Sequence, residues 1–374
     1  MTRTRRWVIA ILLGAIALFS VSSLRQGCEA LFALLDLVDR APPAWLDIRP
    51  AARRTSLTFQ ISDRQYLADL YTPSGRVLAG IVLVPGAAPA GKDDPRVVAF
   101  ARMLARGRFA VLVPDITALR GLVLLPESAR DVADAITYLL SQPDLAPGGR
   151  AGVVSTSVGI GPALLGMLDP SLCRRVQFIL SIGGYYDLPR TLNYLITGHY
   201  EAQGISVKVQ PSEYGKWVYV LSSASLLENA REREIFRRLA ERKLATPEAG
   251  VEDLRSKLGP EGDRLYQFIT NTDPARSPVL LSQLPPALRT HITALDLASY
   301  DFAPLAARFI LVHGFEDDTI PYGESIALAR ALPPGKAKLY LLHGLFHVNV
   351  APSVMDVLTM WCAIYALLSE RYSG

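Results

Sequence analysis

The chain has 374 residues, of which 50% are hydrophobic and 20% charged, with 39 Lys+Arg against 35 Asp+Glu for a formal net charge of +4. A charged fraction below the soluble average of about 25%, with a mean hydropathy of +0.23, excludes intrinsic disorder. A single long uncharged apolar run excludes a polytopic membrane protein, and the absence of any Lys/Arg block argues against a nucleic-acid partner.

That run is Trp7 to Leu24, preceded by Arg3, Arg5 and Arg6. Eighteen helical residues rise about 27 Å, close to the roughly 30 Å hydrocarbon thickness. The charge bias predicts an uncleaved signal anchor with the N-terminus inside and the body outside the cytoplasm, periplasmic in a Gram-negative cell. A cleaved signal peptide and a secreted body is the alternative, with Ser20, Ser22 and Ser23 as the small residues. Residues 29–39 read as a short amphipathic helix, so 1–40 form an anchor-plus-helix unit, and Ala41-Pro42-Pro43 reads as a linker. The three cysteines, Cys28, Cys173 and Cys362, are far apart and support neither a disulfide framework nor a zinc site.

The body begins with a predicted hairpin, residues 55–61 and 65–71, turning at Ser62-Asp63-Arg64. Continuous apolar runs at 79–86, 109–115, 150–155 and 176–184 then alternate with helical patterns at 96–107, 127–140 and 157–167. The alternation resumes at 308–314, 324–332, 338–344 and a terminal helix near 353–370. Apolar strands each followed by a helix predict a mostly parallel sheet covered on both faces. Between about 188 and 302 the alternation stops and charged helical segments take over, as at 228–244. This divides the body into core residues 41–188, a helical cap insertion 189–302 and core residues 303–374. The insertion is expected to lie over a site at the carboxyl ends of the strands. Residues 228–244 combine like-charged pairs, Glu228–Glu232 and Arg233–Arg237, with the favourable Glu234–Arg238, and read as a solvated face. Contact with anionic lipid is a second use for that helix.

Chemistry is concentrated in three loops. After the strand at 150–155 comes Ser155-Thr156-Ser157-Val158-Gly159, with a helix following at once. Such a small-x-Ser-x-Gly turn needs small residues on both sides because the serine occupies a tight bend. A plain helix start with Ser157 as N-cap is the alternative for the motif alone. Beyond the strand at 308–314 stands Glu316-Asp317-Asp318, and beyond the next strand stands His347. A serine hydroxyl needs a base, and the base needs a carboxylate to fix its tautomer. Spacing favours Asp317 over Asp318 and Glu316 as that carboxylate. The loop Pro85-Gly86-Ala87-Ala88 follows the third strand, where the Ala87 N–H can join that of Val158 in an oxyanion hole. His313 and His343 read as structural, Asp115 as a turn cap, and Tyr185 and Tyr186 as pocket lining or packing. His199 and His291 fall in the insertion, where substrate contact is open to them.

In these motifs, residues about 55–188 and 303–374 resemble the α/β-hydrolase superfamily. The hairpin ending Ala68-Asp69-Leu70-Tyr71-x-Pro73 is similar to the esterase and dienelactone-hydrolase-like branches. The resemblance implies Ser157 as nucleophile, Asp317 as orienting acid and His347 as general base, with no metal or cofactor. It implies a carboxylic ester hydrolase acting through an acyl-enzyme on a small acyl ester or a lipid-like substrate. An acyltransferase or peptidase using the same triad, or a non-catalytic binding module, are the other functions such a fold serves. The chain departs from the pattern at Ser155, in place of the first elbow glycine, and at Pro85, where many relatives carry histidine.

Overall fold

The computed structural model describes residues 23–37, 52–202, 204–210, 212–345 and 354–372. The first described element is helix α1, residues 23–37, which contains most of the predicted amphipathic segment. Residues 7–22 of the apolar run and the 41–43 linker lie outside the described residues. No described helix is long and apolar enough to cross a membrane.

The body starts with β1 (Arg53–Ile61) and β2 (Arg64–Thr72), paired antiparallel across a turn in which Ser62 takes φ +55°. The core then runs β3 (Ala79–Val84), α2 (Pro95–Arg106), β4 (Phe109–Pro114), α3 (Ser128–Leu140), β5 (Ala151–Thr156), α4 (Ile160–Met167) and β6 (Val176–Ile182). All of β3 and β4 is buried, which is why they read as unbroken apolar runs rather than alternating ones. Helix α2 opens on Pro95, with Asp94 accepting from the Arg96 N–H as its N-cap.

Residues after β6 form the insertion. It comprises α5 (Leu188–Thr197), the hairpin β7 (His199–Ala202) and β8 (Ile205–Lys208), α6 (Glu213–Ala224), α7 (Ala230–Ala245), α8 (Pro260–Ile269) and α9 (Pro286–Leu295), with shorter turns between. The sheet resumes with β9 (Arg308–Gly314), followed by α10 (Gly323–Ala331), β10 (Ala337–Leu342) and the terminal helix α11 (Val354–Ser369).

Eight strands form one sheet in the order β1-β2-β4-β3-β5-β6-β9-β10. Strand β2 is antiparallel to both neighbours, and the pairs from β4 through β10 are parallel. Successive residues of β5 serve opposite layers: Val153 packs with α3, α4 and the insertion, and Val154 with α1, α2 and α11. The central strands β5, β6 and β9 therefore end at one edge, beneath the insertion.

Candidate active site

Ser157 immediately follows β5 and takes φ +52°. Left-handed backbone is uncommon for a residue with a Cβ and persists where the surroundings over-determine it. Those surroundings are close on both sides. A Cβ on Gly159 would sit 2.6 Å from the Pro85 carbonyl oxygen, and one on Gly86 would sit 3.0 Å from the Ser157 Cβ. The first helical turn after the serine is thus pressed onto the end of β3, which only glycine at 159 allows. Ser155, two residues before the bend, is 0% exposed. Ser157 is the first residue of the short turn that follows β5, with Thr156 at the N-cap position, so it occupies the strained bend itself rather than capping a simple helix start.

The loop after β3 comes to the same place. Thr156 Oγ1 accepts from the Gly86 N–H at 3.0 Å, and the Ala88 N–H donates to the Leu119 carbonyl at 3.2 Å. These two bonds fix the Pro85–Gly86 and Ala87–Ala88 peptides, which flank the Gly86–Ala87 peptide that carries the Ala87 N–H. Ala87, Ser157 and Val158 all line one cavity.

Asp317 follows β9 and is buried, whereas Glu316 and Asp318 are exposed. Its Oδ1 accepts from the Thr319 and Ile320 N–H groups, each at 2.9 Å, and its backbone carbonyl accepts from the Tyr194 hydroxyl at 2.7 Å. His313 lies fully buried beneath it, with Nε2 donating to the Ile320 carbonyl at 2.9 Å and Nδ1 2.7 Å from Ser325 Oγ. His313 Nε2 is also 3.5 Å from Asp317 Oδ2. The histidine thereby shapes the acid's loop from below. His347 lies outside the described residues, between Leu345 and α11.

Nearby residues divide by role. Exposed Glu316 bonds His343 Nδ1 at 2.7 Å and the Gly344 N–H at 3.1 Å, so His343 stands just beyond β10 rather than within a strand end. Tyr185 is buried at the cavity wall with its hydroxyl donating to the Leu295 carbonyl at 2.9 Å, and the Tyr186 N–H donates to Glu324. Asp115 pairs with Arg120 at 3.1 Å. His199 turns toward the Thr197 carbonyl, while His291 lines the cavity. Burial holds the His291 imidazole below its ordinary pKa, against a bond to the Leu124 backbone that raises it.

The cavity measures about 1050 Å3, just above the roughly 300–1,000 Å3 typical of small-molecule sites. Its walls come from the core and from insertion helices α5, α6 and α9. Among the described residues no group of three or more His, Cys, Asp or Glu could hold a metal ion.

Several positioning contacts carried no sequence signal. Tyr194 sits in α5, whose spacing marks it only as a buried helix face. Glu324 is the buried anchor of the loop after β6: its carboxylate accepts from the Tyr186 and Asp187 N–H groups at 2.9 and 2.7 Å and from Arg190 Nε at 2.6 Å. An acidic residue in the first turn of a helix reads as dipole complement, not as a tie to a loop 138 residues away in the chain.

No protein-family model matches the sequence, and no curated protein does. Among solved structures, a candidate hydrolase from Legionella pneumophila is similar over 91% of this chain and 95% of its own, with 14% identity and a TM-score of 0.55. A dienelactone hydrolase from Anabaena variabilis is similar over 84% of this chain and 97% of its own, at 13% identity and a TM-score of 0.43. A puromycin-hydrolyzing peptidase from Mycobacterium tuberculosis is similar over 89% of this chain but only 40% of its own, at 14% identity and a TM-score of 0.44. The first of these, together with the strand order and the tight strand-to-helix bend at Ser157, identifies the architecture. This chain has the α/β-hydrolase fold.

Proposed function

We propose that the protein is a serine hydrolase that cleaves a carboxylic ester through an acyl-enzyme. The observation that carries this reading is Ser157 itself, held at φ +52° on the sheet edge and opening into a large cavity. A serine kept in strained backbone has a use for the strain, and exposing a nucleophile is the use that a strand-to-helix elbow serves.

In this reading His347, assigned from its place in the sequence after β10, takes the Ser157 hydroxyl proton as the oxygen attacks the substrate carbonyl. The new Ser157 O–C bond forms, and the oxyanion is held by the Ala87 and Val158 N–H groups. The ester C–O bond then breaks and the imidazolium returns its proton to the departing alkoxide. Water repeats the sequence in the second half: it gives a proton to His347, its oxygen attacks the acyl carbon, and the proton returns to Ser157 as the carboxylic acid leaves. Asp317, fixed by two backbone N–H groups, orients the base and stabilises its charged form. The reading includes a membrane tether at Trp7 to Leu24, which cell fractionation of the full chain tests directly.

A fluorophosphonate probe should label the wild type and not Ser157→Ala. The same substitution should lower kcat on a soluble ester by on the order of 10⁴-fold or more. Equal labelling of both proteins sinks the assignment.

A further inference from the structure

The cavity does not stay on one side of the sheet. Leu180 and Val312, which line it, belong to the packing layer of α1, α2 and α11, whereas Leu192 and Ile292 belong to the opposite layer with the insertion. The space thus passes over the carboxyl edge of the sheet, and Ser157 stands at the crest between two lobes.

The lobes differ in chemistry. On the insertion side, Tyr219, Ser222 and His291 are among the residues that interrupt an apolar wall. On the other side the sheet residues meet Phe100 and Met103 of α2 and Ala363 and Ile364 of α11, and past the Asp94–Arg96 ion pair every described lining side chain is apolar. A polar arm placed in that second lobe would lose its water and gain no hydrogen bond from the described lining side chains past that pair. A hydrocarbon arm would gain about fourfold in affinity for each methylene buried.

We propose that the apolar lobe between the sheet and α2/α11 is an acyl-chain tunnel, and that the substrate is a long-chain acyl ester. Its carbonyl lies at Ser157, its chain runs toward α1, and its more polar alcohol portion occupies the lobe under the insertion. This rests on Ser157 as nucleophile, because the carbonyl position sets which arm enters which lobe. The two lobes also set a division of specificity: residues of α2 and α11 select chain length, and those of α6 and α9 select the alcohol.

Two measurements keep the tunnel and the chemistry apart. The first uses Ser157→Ala, which cannot turn over, and follows binding of palmitate and octanoate by displacement of a fluorescent fatty acid. Palmitate is expected to bind at least tenfold more tightly. Filling the tunnel with Ala363→Phe, or independently with Val97→Phe should the first variant fold poorly, is expected to remove that preference. The second measures kcat/KM for p-nitrophenyl esters from acetate to palmitate. Ala363→Phe should cut the palmitate-to-acetate ratio at least tenfold, while Val218→Phe on the insertion side should change it less than threefold. Equal affinity for the two fatty acids, or equal loss for all chain lengths, overturns the tunnel. A larger loss in Val218→Phe than in Ala363→Phe reverses the two lobes and overturns the assignment as stated. Failure of fluorophosphonate labelling alongside a palmitate preference would refute the nucleophile and leave an apolar binding tunnel, so the two failures are distinct.

Discussion

At Thr156 a hydroxyl beside the nucleophile controls a loop that belongs to another strand. The side chain accepts from the Gly86 N–H at 3.0 Å, and Gly86 has no Cβ, so its backbone approaches Ser157 closely. One bond therefore fixes the Pro85–Gly86 peptide and, through the peptide that follows it, bears on the proposed oxyanion donor at Ala87. Thr156→Val keeps the shape and removes the acceptor, so the Gly86 N–H loses its partner and the loop its anchor. Losing an oxyanion donor outright costs about 10²–10³ in kcat, so misplacing one should cost less, about tenfold. The expected result is a fall in kcat on a short ester with KM within about twofold, and recovery in Thr156→Ser. A rise in KM alone would make Thr156 a substrate contact instead of a positioning residue. The elbow was readable because sterics leave few residue types at its positions. The Thr156–Gly86 bond was not, because nothing in a pentapeptide says which distant loop its side chains will meet.

Among the elements, the β1–β2 hairpin has a second task besides extending the sheet. Asp69 of β2 is fully buried, and its carboxylate accepts from Ser56 Oγ at 2.6 Å, Lys92 Nζ at 3.1 Å and the Arg54 guanidinium. Lys92 lies in the short turn Gly91–Asp93 that follows the Ala87 loop, so the cluster ties that loop to the hairpin. Burial alone pushes the Asp69 carboxyl up, but bonds from Ser56, Arg54 and Lys92 outweigh it and hold the group below the ordinary carboxylate range. The folded state therefore releases this proton more readily than the unfolded chain does. Its contribution is complete above about pH 4, the ordinary aspartate value, and is lost as pH falls through the lower folded value. Asp69→Asn leaves two cations facing a neutral amide and should cost about 3 kcal/mol at pH 7. The gap from the wild type, read by urea denaturation, should narrow as pH drops below about 4. A gap that stays constant down to acid would assign the loss to packing. Sequence pattern located this hairpin well because its turn chemistry is local. It missed β7–β8, whose strands of four residues are too short for alternation to register. It read 228–244 as a solvated face, and the face of α7 bearing Arg231, Glu234, Arg237, Arg238 and Glu241 is exposed, with Arg237 bonded to Glu234 and Glu241. Yet Glu232 is buried and accepts from the Gly262 N–H, because the helical period carries it round with Ile235, Phe236 and Leu239. A charged residue on an inward stripe is invisible until the partner helix is known.

On the scale of the whole molecule, the two ends of the described chain close the same layer. Helix α1 lies along α11, with Trp361 Nε1 donating to the Gly27 carbonyl at 2.8 Å and Gln26 Nε2 donating to Ser369 Oγ at 2.5 Å. Arg371, 1% exposed, donates to Glu29 Oε2, the Gly107 carbonyl and the Leu368 carbonyl, each at 2.8 Å, which joins α1, the end of α2 and α11 in one contact. Arg106 adds a tie to Asp36 at 2.5 Å. This layer also walls the apolar lobe, since Leu37 and Leu367 both line it. The amphipathic period of α1 was legible; that its apolar face meets the terminal helix α11 was not, because Gly27 and Trp361 are 334 residues apart in sequence. Arg371→Ala removes the buried cation from Glu29, which is itself 8% exposed, and leaves the exposed Arg25 3.4 Å away. Breaking one side of such a buried pair should cost about 3–5 kcal/mol. The urea midpoint should fall by a matching amount with the slope unchanged, since the surface exposed on unfolding stays the same. Because this contact is remote from Ser157, fluorophosphonate labelling of the folded fraction should keep the wild-type rate. An unchanged midpoint with slower labelling would give α1 a different role, shaping the reactive edge of the sheet rather than holding its far layer closed.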